Sequence, residues 1–258
     1  MSPRRILVGA LLGAAALAAV PSAASASSTC VYDQATRTMN VRYGAGDTSL
    51  TLRNGPTLLY SEAGGFPRSC FSTSGVAATA TNTDKIVIKG ASGTGALHQT
   101  TTIDESFGGF PESNPNLQIF VFTGTNDRLI VDETAGDDSV RLMEQGGLAF
   151  GPAVDLNYDG KIDLRMTTLD SVAQVNAGRG NDLVDALSAN SYQTVELGED
   201  GNDVLVGGKK GDLLDGGAND DHLFAKDGVI EQIVGGSGTD TAQLDFNDQP
   251  SGVEKPSF

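Results

Sequence analysis

The sequence predicts an all-β protein whose chain coils in regular half-turns. Two observations support this. After residue 26, short β-rich runs alternate with clusters of turn residues, and no useful length of chain has apolar residues at helical spacing. In addition, three consecutive nine-residue blocks fill residues 198–224, each with glycine first, aspartate sixth and leucine eighth. Spacing this regular indicates a repeating structural unit.

Each block combines a turn with a short strand. Glycine permits a tight turn with positive φ, and the strand that follows turns its eighth residue, leucine, toward the core. If one block makes half a coil, every second block stacks on the same edge. Asp203 and Asp221 are then neighbours, while Asp212 lies on the opposite edge. The predicted core residues are Leu205, Leu214 and Leu223.

These blocks resemble the RTX, or haemolysin-type, calcium-binding nonapeptide G-G-x-G-x-D-x-U-x. The resemblance implies a right-handed parallel β-helix or β-roll solenoid that holds Ca²⁺ between adjacent turns. Calcium takes about 6–8 hard oxygen ligands, which carboxylates and backbone carbonyls supply. Carried onto this sequence, the resemblance assigns the metal-binding aspartates Asp203, Asp212 and Asp221, with the turn glycines Gly201, Gly208 and Gly217.

Weaker copies of the block flank the three clear ones. Residues 177–185 place Asp182 sixth, and residues 235–243 supply Gly238 and Asp240. If Ala225 is an inserted residue, residues 226–234 place Glu231 in the ligand position. One edge then carries Asp203, Asp221 and Asp240, and the other carries Asp212 and Glu231. The coil that begins at Asp182 needs three extra residues.

Some positions depart from the repeat. Lys210 and Asn219 replace the fourth-place glycine, Glu199 replaces the second, and Lys209 adds a second positive charge. We therefore expect one to three occupied sites, the best of them between the turns of Asp203 and Asp221. The alternative is a glycine-rich solenoid with solvated aspartates at its rim and no bound ion.

The N-terminal segment, residues 1–26, predicts a secretory signal peptide. Two arginines precede an apolar run over 6–20, and an A-x-A cleavage site ends at Ala26. The run is shorter than the ~20 residues of a membrane span, and no second apolar stretch follows, so no membrane span is predicted. The sequence therefore predicts a secreted, extracellular protein.

Charge narrows the choice of partners. The formal net charge is −16, and residues 176–248 contain 15 acidic against 4 basic residues. Nucleic acids and anionic membranes are poor partners for such a chain, whereas cations are good ones. At roughly 1 mM calcium and a dissociation constant of ~0.1 mM, each site adds about 1.4 kcal/mol of stability. We expect the C-terminal third to fold when calcium is present.

Two cysteines, Cys30 and Cys70, are the only ones in the chain. In an oxidising compartment they are expected to form a disulfide. The run 38–43 turns at 44–47 into the run 49–53, and the disulfide-linked segment with its hairpin is predicted to cap the N-terminal end of the solenoid. The polar tail after residue 248 is predicted to close the other end.

The rest of the chain predicts a degenerate continuation of the solenoid over 27–175, before the repeats at 176–248 and the tail at 249–258. An x-Asp-x-apolar phrase recurs at Asp84, Asp127, Asp138 and Asp182. The alternative is a separate antiparallel sandwich before residue ~120. The predicted strands cover residues 38–43, 49–53, 85–89, 117–122, 128–131 and 140–142.

A second candidate metal site lies between these regions. Residues 155–163 match the start of an EF-hand loop, with Asp155, Asn157 and Asp159 as oxygen donors, a sixth-place glycine, and Asp163 in the ninth place. The twelfth place is Met166 instead of glutamate, and neither flank predicts a helix. The segment is therefore either a cation-binding loop or an Asx-rich turn between two strands.

Enzyme motifs are missing from the sequence. His98 and His222 are the only histidines, so an H-E-x-x-H zinc site cannot form, and no G-x-S-x-G elbow occurs. The acidic group Asp132, Glu133 and Asp137 fits turn chemistry better than catalysis. We expect a non-enzymatic calcium-binding protein. The alternatives are a carbohydrate-active lyase or glycosidase, and an adhesion module with a cell-surface or polysaccharide partner.

Overall fold

The structure, a computed structural model, describes residues 27–44, 47–63, 65–90, 98–106, 108–110, 114, 116–125, 127–145, 151–169 and 171–258. Within these residues the fold is all-β, with two long sheets in which most neighbouring strands run parallel. No described helix has the length and apolar character that a membrane span requires. The predicted signal peptide lies outside the described residues.

The first sheet contains twelve of the described strands. In chain order they are β1 (Thr29–Asp33), β2 (Thr38–Arg42), β6 (Lys85–Lys89), β8 (Gln118–Thr125), β10 (Ser139–Glu144), β11 (Pro152–Asp155), β12 (Leu164–Leu169), β14 (Leu183–Ser188), β16 (Val204–Val206), β18 (His222–Phe224), β20 (Thr241–Gln243) and β22 (Lys255–Ser257).

The second sheet contains the other ten described strands. These are β3 (Ser49–Arg53), β4 (Leu59–Glu62), β5 (Arg68–Ser69), β7 (Thr100–Asp104), β9 (Arg128–Asp132), β13 (Val172–Asn176), β15 (Gln193–Leu197), β17 (Leu213–Ala218), β19 (Gln232–Ser237) and β21 (Gln249–Ser251).

From β12 onward the chain alternates strictly between the two sheets, so each pair of strands forms one coil. Val204 of β16 pairs with His222 of β18, two blocks further along the chain. The next coil in this sheet, from His222 to Thr241, is longer by one residue, as one insertion at Ala225 requires. The coil from Leu183 to Val204 is longer by three. The half-coil interpretation of the nine-residue blocks is therefore confirmed, including its two irregular coils.

The core lies between the two sheets, and in the repeat blocks it is built from the eighth-place residues. Leu205, Leu214 and Leu223 are almost completely buried, as the repeat predicts, and Ile233 and Ala242 continue the same column. Successive side chains of a strand alternate between the two faces, so one inward residue per short strand is enough to fill this narrow interior.

Upstream of residue 120 the same architecture continues. Strands β2, β6 and β8 pair in parallel in the first sheet, as do β3, β7 and β9 in the second. The alternative of a separate antiparallel sandwich is therefore wrong. The predicted strands at 49–53 and 85–89 match β3 and β6 residue for residue, because 49–53 alternates cleanly and 85–89 is a short apolar run bounded by two lysines.

One hairpin insertion interrupts the regular coils. Strand β11 runs antiparallel between β10 and β12, so the first sheet has two more strands than the second at this level. Residues 156–163 connect β11 to β12. The EF-hand-like segment is therefore a hairpin loop.

The N-terminal end carries antiparallel strands and a disulfide. Strand β1 pairs antiparallel with β2, and β4 pairs antiparallel with β3 and β5. Cys30 of β1 and Cys70, directly after β5, form the predicted disulfide, which links the outermost strands of the two sheets. Strands β2 and β3 lie in different sheets and do not pair with each other, so the predicted hairpin between the runs 38–43 and 49–53 does not form.

The C-terminal tail adds the final strand to each sheet. Pro250 of β21 is in register with Ile233, and Pro256 of β22 is in register with Ala242. Proline lacks the amide hydrogen that a further strand would need, so it is tolerated in these edge strands.

Candidate metal centre

The candidate site is a row of aspartates that stand directly before strands of the first sheet. Asp182, Asp203, Asp221 and Asp240 precede β14, β16, β18 and β20, and we call these four residues the first rim. Their equivalent places follow from the parallel register of the strands. Each lies where a glycine-rich turn meets a strand, as the sixth place of the repeat predicts.

Adjacent members of the first rim are joined by hydrogen bonds. The amide of Asp182 donates to Asp203 Oδ1 at 2.8 Å, and the amide of Asp203 donates to Asp221 Oδ1 at the same distance. The amide of Asp221 donates to Asp240 Oδ1 at 2.9 Å. One carboxylate oxygen of Asp203, Asp221 and Asp240 is thus fixed by the preceding turn. The amide of Asp138 donates in the same way to Asp182 Oδ1.

The other carboxylate oxygen of each residue has no donor. Oδ2 of all four first-rim aspartates is buried and has no hydrogen-bond partner. Asp203, Asp221 and Asp240 are 0% exposed, so these residues are not the solvated rim of the alternative interpretation. A buried charged oxygen without a partner costs several kcal/mol unless a proton or a cation compensates it.

Electrostatics agree with this geometry. Burial, and to a smaller extent the charges of neighbouring carboxylates including that of Asp203, raise the pKa of Asp182 and of Asp221 to about 7. Burial also raises the pKa of Asp203. Without a cation, these side chains therefore hold their protons more tightly than ordinary carboxyl groups do.

Backbone oxygens of the next turn approach the same positions. A Cβ at Gly216 would stand 2.7 Å from the carbonyl oxygen of Gly235 and would overlap Asp221 Oδ2. Gly198 has the same relation to Asp203 Oδ2 and the Gly216 carbonyl. At these two first-place positions glycine therefore leaves a carboxylate and a carbonyl oxygen close together.

The glycines that the repeat assigns to the site lie equally close to a neighbouring turn. A Cβ at Gly201, Gly217 or Gly238 would overlap a carbonyl oxygen of the preceding coil, and one at Gly208 would stand 2.7 Å from the carbonyl of Ala189. Gly217 also has φ of 97°, which other residues rarely adopt. The donor set consists of oxygens only, and buried carboxylate oxygens have no partner, so the residues present fit calcium.

The opposite edge is less regular. Asp212, Glu231 and Asp248 precede strands β17, β19 and β21, and we call these three residues the second rim. Asp212 accepts two hydrogen bonds, at Oδ1 from the Thr194 amide at 2.7 Å and at Oδ2 from the Gly208 amide at 2.8 Å. Both carboxylate oxygens of Glu231, in contrast, are buried without a partner.

The hairpin loop at 155–163 uses its aspartates within the loop. Asp155 is fully buried and accepts the amides of Asp159 and Gly160 at 3.0 and 2.8 Å. Asp163 accepts the Leu156 amide, and burial raises its pKa to about 6. The amide of Asp159 also donates to Asn157 Oδ1. These are the contacts of an Asx-rich turn, and cation binding by this loop stays a prediction.

The acidic group in the degenerate region is also engaged in contacts between coils. Asp137 accepts the amide of Asn181 at 2.8 Å, and Asp132 accepts the side-chain amide of Asn176 at 2.5 Å. His222 is exposed on the outer face of β18 and contacts the Thr241 hydroxyl at 2.7 Å. Each contact joins two stacked coils.

Sequence reasoning missed a buried carboxylate in the core. Glu196 is 0% exposed and lies in register with Leu214, in the column of inward residues. The Thr194 hydroxyl donates to Oε1 at 3.0 Å, while Oε2 has no hydrogen-bond partner. Burial, and then the charge of Asp212, raise its pKa well above that of an ordinary glutamate. The three extra residues in this coil interrupt the nine-residue pattern, so the sequence did not identify Glu196 as an inward-facing residue.

Comparison with known protein families supports the repeat. Residues 197–229 match the family model described as RTX calcium-binding nonapeptide repeat (4 copies). This segment is an RTX repeat array. The match contains Asp203, Asp212 and Asp221 with their turns, while Asp182, Glu231 and Asp240 lie outside it. Comparisons with the curated proteins and with the solved structures found no significant match.

Proposed function

We propose that this chain is a secreted, non-enzymatic calcium-binding protein whose first rim holds Ca²⁺ between adjacent coils. The observation that carries the proposal is the set of four stacked aspartates, each with one buried oxygen that no donor contacts. When bound, the cation supplies the positive charge that these oxygens lack. The RTX repeat at 197–229 supports calcium as that cation.

Calcium and folding are coupled in this proposal. The first-rim carboxylates approach one another only when the coils are stacked, and without a cation their repulsion opposes that stacking. A ligand that binds only the folded chain stabilises it by mass action. We therefore propose that the coils from Asp182 onward gain order outside the cell, where calcium is plentiful.

Circular dichroism of the full-length chain tests this coupling. We expect β-structure to increase between a chelator and about 1 mM calcium, with magnesium much less effective because it prefers an octahedral site. An identical spectrum and an identical unfolding midpoint in chelator and in calcium would contradict the proposal.

The non-enzymatic part of the proposal has a separate test. It is supported by the sequence, which lacks catalytic motifs, and by the contacts of Asp132 and Asp137 with neighbouring coils. We expect no turnover of acidic or neutral polysaccharides. Release of products from such a screen would favour the carbohydrate-active alternative, and chelator-sensitive binding to washed cells would favour adhesion.

A further inference from the structure

We propose that Asp227, Glu231 and Asp245 form an additional calcium site, distinct from the first rim, that ties the last coils onto the solenoid. Each of the three residues offers one carboxylate oxygen, and these oxygens lie within 4.8 Å of one another. The turns that supply them are adjacent in the second sheet, because β19 pairs with β21.

Glu231 shows that this is more than a surface cluster of acids. It is 2% exposed, and neither carboxylate oxygen has a hydrogen-bond partner. Burial, then a contact with the Asp248 side chain, and then the charges of Asp227 and Asp248 together raise its pKa to about 9. A buried carboxylate with two oxygens free of donors is suited to bind a cation with both oxygens at once.

Backbone hydrogen bonds hold the other two carboxylates in place. The Val229 amide donates to Asp227 Oδ1 at 2.9 Å, while Asp227 Oδ2 is buried without a partner. The Gly228 amide donates to Asp245 Oδ2 at 2.5 Å, across the gap between the two turns. Asp227 and Asp245 are thus each oriented by one backbone donor, and their other carboxylate oxygens remain for a metal ion.

The charge of this group is not balanced by a basic side chain of the surrounding coils. Within residues 171–258, all of which are described, no ion pair involves any of the three carboxylates. Lys209 and Lys226 border a groove beside Asp227, and an ammonium group from this groove is the competing source of positive charge. Three carboxylates converging on one point favour a divalent cation, and the all-oxygen donor set favours calcium over zinc.

This site differs from the nonapeptide sites in its construction. The turn 226–231 lacks the paired glycines of the repeat, and its second carboxylate, Asp227, lies outside the sixth place that holds the metal-binding acid of a repeat turn. Asp245 belongs to the following turn and has no place in the assigned repeat frame. Both Glu231 and Asp245 lie beyond the segment that matches the RTX family model.

Calcium counting by calorimetry and equilibrium dialysis of the full-length chain tests the site. The double variant Asp227→Asn, Asp245→Asn keeps an acceptor for each backbone donor but removes two charges. We expect it to bind one calcium ion fewer per chain than the wild type, with the remaining affinities changed less than twofold. The control is Asp215→Asn, a carboxylate on the outer face of β17, which is expected to leave the count unchanged.

A second readout separates calcium binding from simple structural support. If the two aspartates only accept hydrogen bonds, the double variant unfolds at a lower temperature in chelator. If they share a cation, removal of like charges makes the variant at least as stable as the wild type in chelator and less stable in calcium. Calcium should also slow hydrogen exchange over 244–258 in the wild type and not in the variant.

An unchanged calcium count would overturn this inference, as would lower stability in chelator with the calcium response intact. The result is separable from the test of the first rim. Loss of one ion in this variant, with no calcium effect from changes at Asp203 and Asp221, would support this site and refute the proposed function. An unchanged calcium count in this variant, together with a calcium effect from changes at Asp203 and Asp221, would refute only the additional site.

Discussion

The two rims of the solenoid start from the same nine-residue block and end with different chemistry. On the first rim every coil supplies an aspartate with one oxygen bound to an amide and one without a donor. On the second rim Asp212 is fully hydrogen-bonded, whereas Glu231 accepts no hydrogen bond. The sixth place of the repeat therefore does not by itself determine whether a carboxylate is available to a cation, since the neighbouring turn also decides it.

The largest expected effect comes from removing charge on the first rim. The double variant Asp203→Asn, Asp221→Asn keeps the Oδ1 acceptors but weakens the sites that share these residues. We expect a loss of about 3 kcal/mol of calcium-dependent stabilisation at roughly 1 mM calcium, measured by urea unfolding with and without chelator. In chelator alone the variant should be more stable than the wild type.

The matched control is Asp200→Asn, because Asp200 lies in the same turn as Asp203 but its side chain is 63% exposed. It should leave the calcium response within about 0.5 kcal/mol of the wild type. Equal losses in the control and the double variant would mean that net charge, and not the rim geometry, attracts calcium.

The pH dependence in chelator gives the next largest effect. The pKa of Asp182 and Asp221 is about 7 in the folded chain, against roughly 3.9 when unfolded. The folded chain therefore binds more protons between these values, and the stability from this linkage is complete below pH ~4 and is lost as pH rises through 7. With allowance for solvent screening, we expect unfolding in chelator to cost about 2 kcal/mol more at pH 5 than at pH 8.

In calcium the stability should instead rise with pH, because protons compete with the cation for the same oxygens. Guanidinium unfolding at the two pH values, in chelator and in millimolar calcium, measures both slopes. A chain that becomes more stable as pH rises in chelator would show that the first-rim carboxyls are ionised and stabilised by protein contacts alone.

In chelator, Asp212→Asn on the second rim should change the stability in the direction opposite to that of the first-rim double variant. Asp212 accepts two amides, and an asparagine retains only one acceptor oxygen, so the Gly208 amide loses its partner. We expect a loss of about 1 kcal/mol in chelator, where the first-rim variant gains stability. If both variants shift stability in the same direction in thermal unfolding, the contrast between the rims is wrong.

The smallest effect is expected in the hairpin loop. Asp159 already contacts the amide of Lys161 at 2.9 Å and its ammonium group at 2.5 Å, in an exposed ion pair. Asp159→Asn should change stability by less than about 0.5 kcal/mol and leave the number of bound calcium ions unchanged. Loss of one ion in equilibrium dialysis would instead make this loop a calcium site.

The sequence predicted the positions on the first rim because spacing alone determines them. A coil of two blocks brings Asp203 beside Asp221, and single insertions such as Ala225 can be located from the shift of the pattern. The repeat does not predict how deeply the aspartates are buried, because burial depends on how closely the turns stack. Glu196, Asp227 and Asp245 escaped prediction because they lie outside the sixth place of the frame.

Strand prediction failed where tertiary context overrides pattern. Strand β11 and the edge strands at Pro250 and Pro256 have no clean alternation of apolar residues, whereas β10 contains the predicted run 140–142. These strands form because neighbouring strands offer backbone partners. The disulfide was predictable from cysteine number and the expected compartment, whereas its role in joining the two sheets was not.

A crystal structure of the full-length chain grown in millimolar calcium tests the central claim most directly. We predict a cation about 2.3–2.6 Å from Oδ2 of Asp203 and of Asp221, with carbonyl oxygens of the adjoining turns completing its shell. Coils stacked as described, with these two oxygens in contact only with water or a shared proton, would contradict this claim.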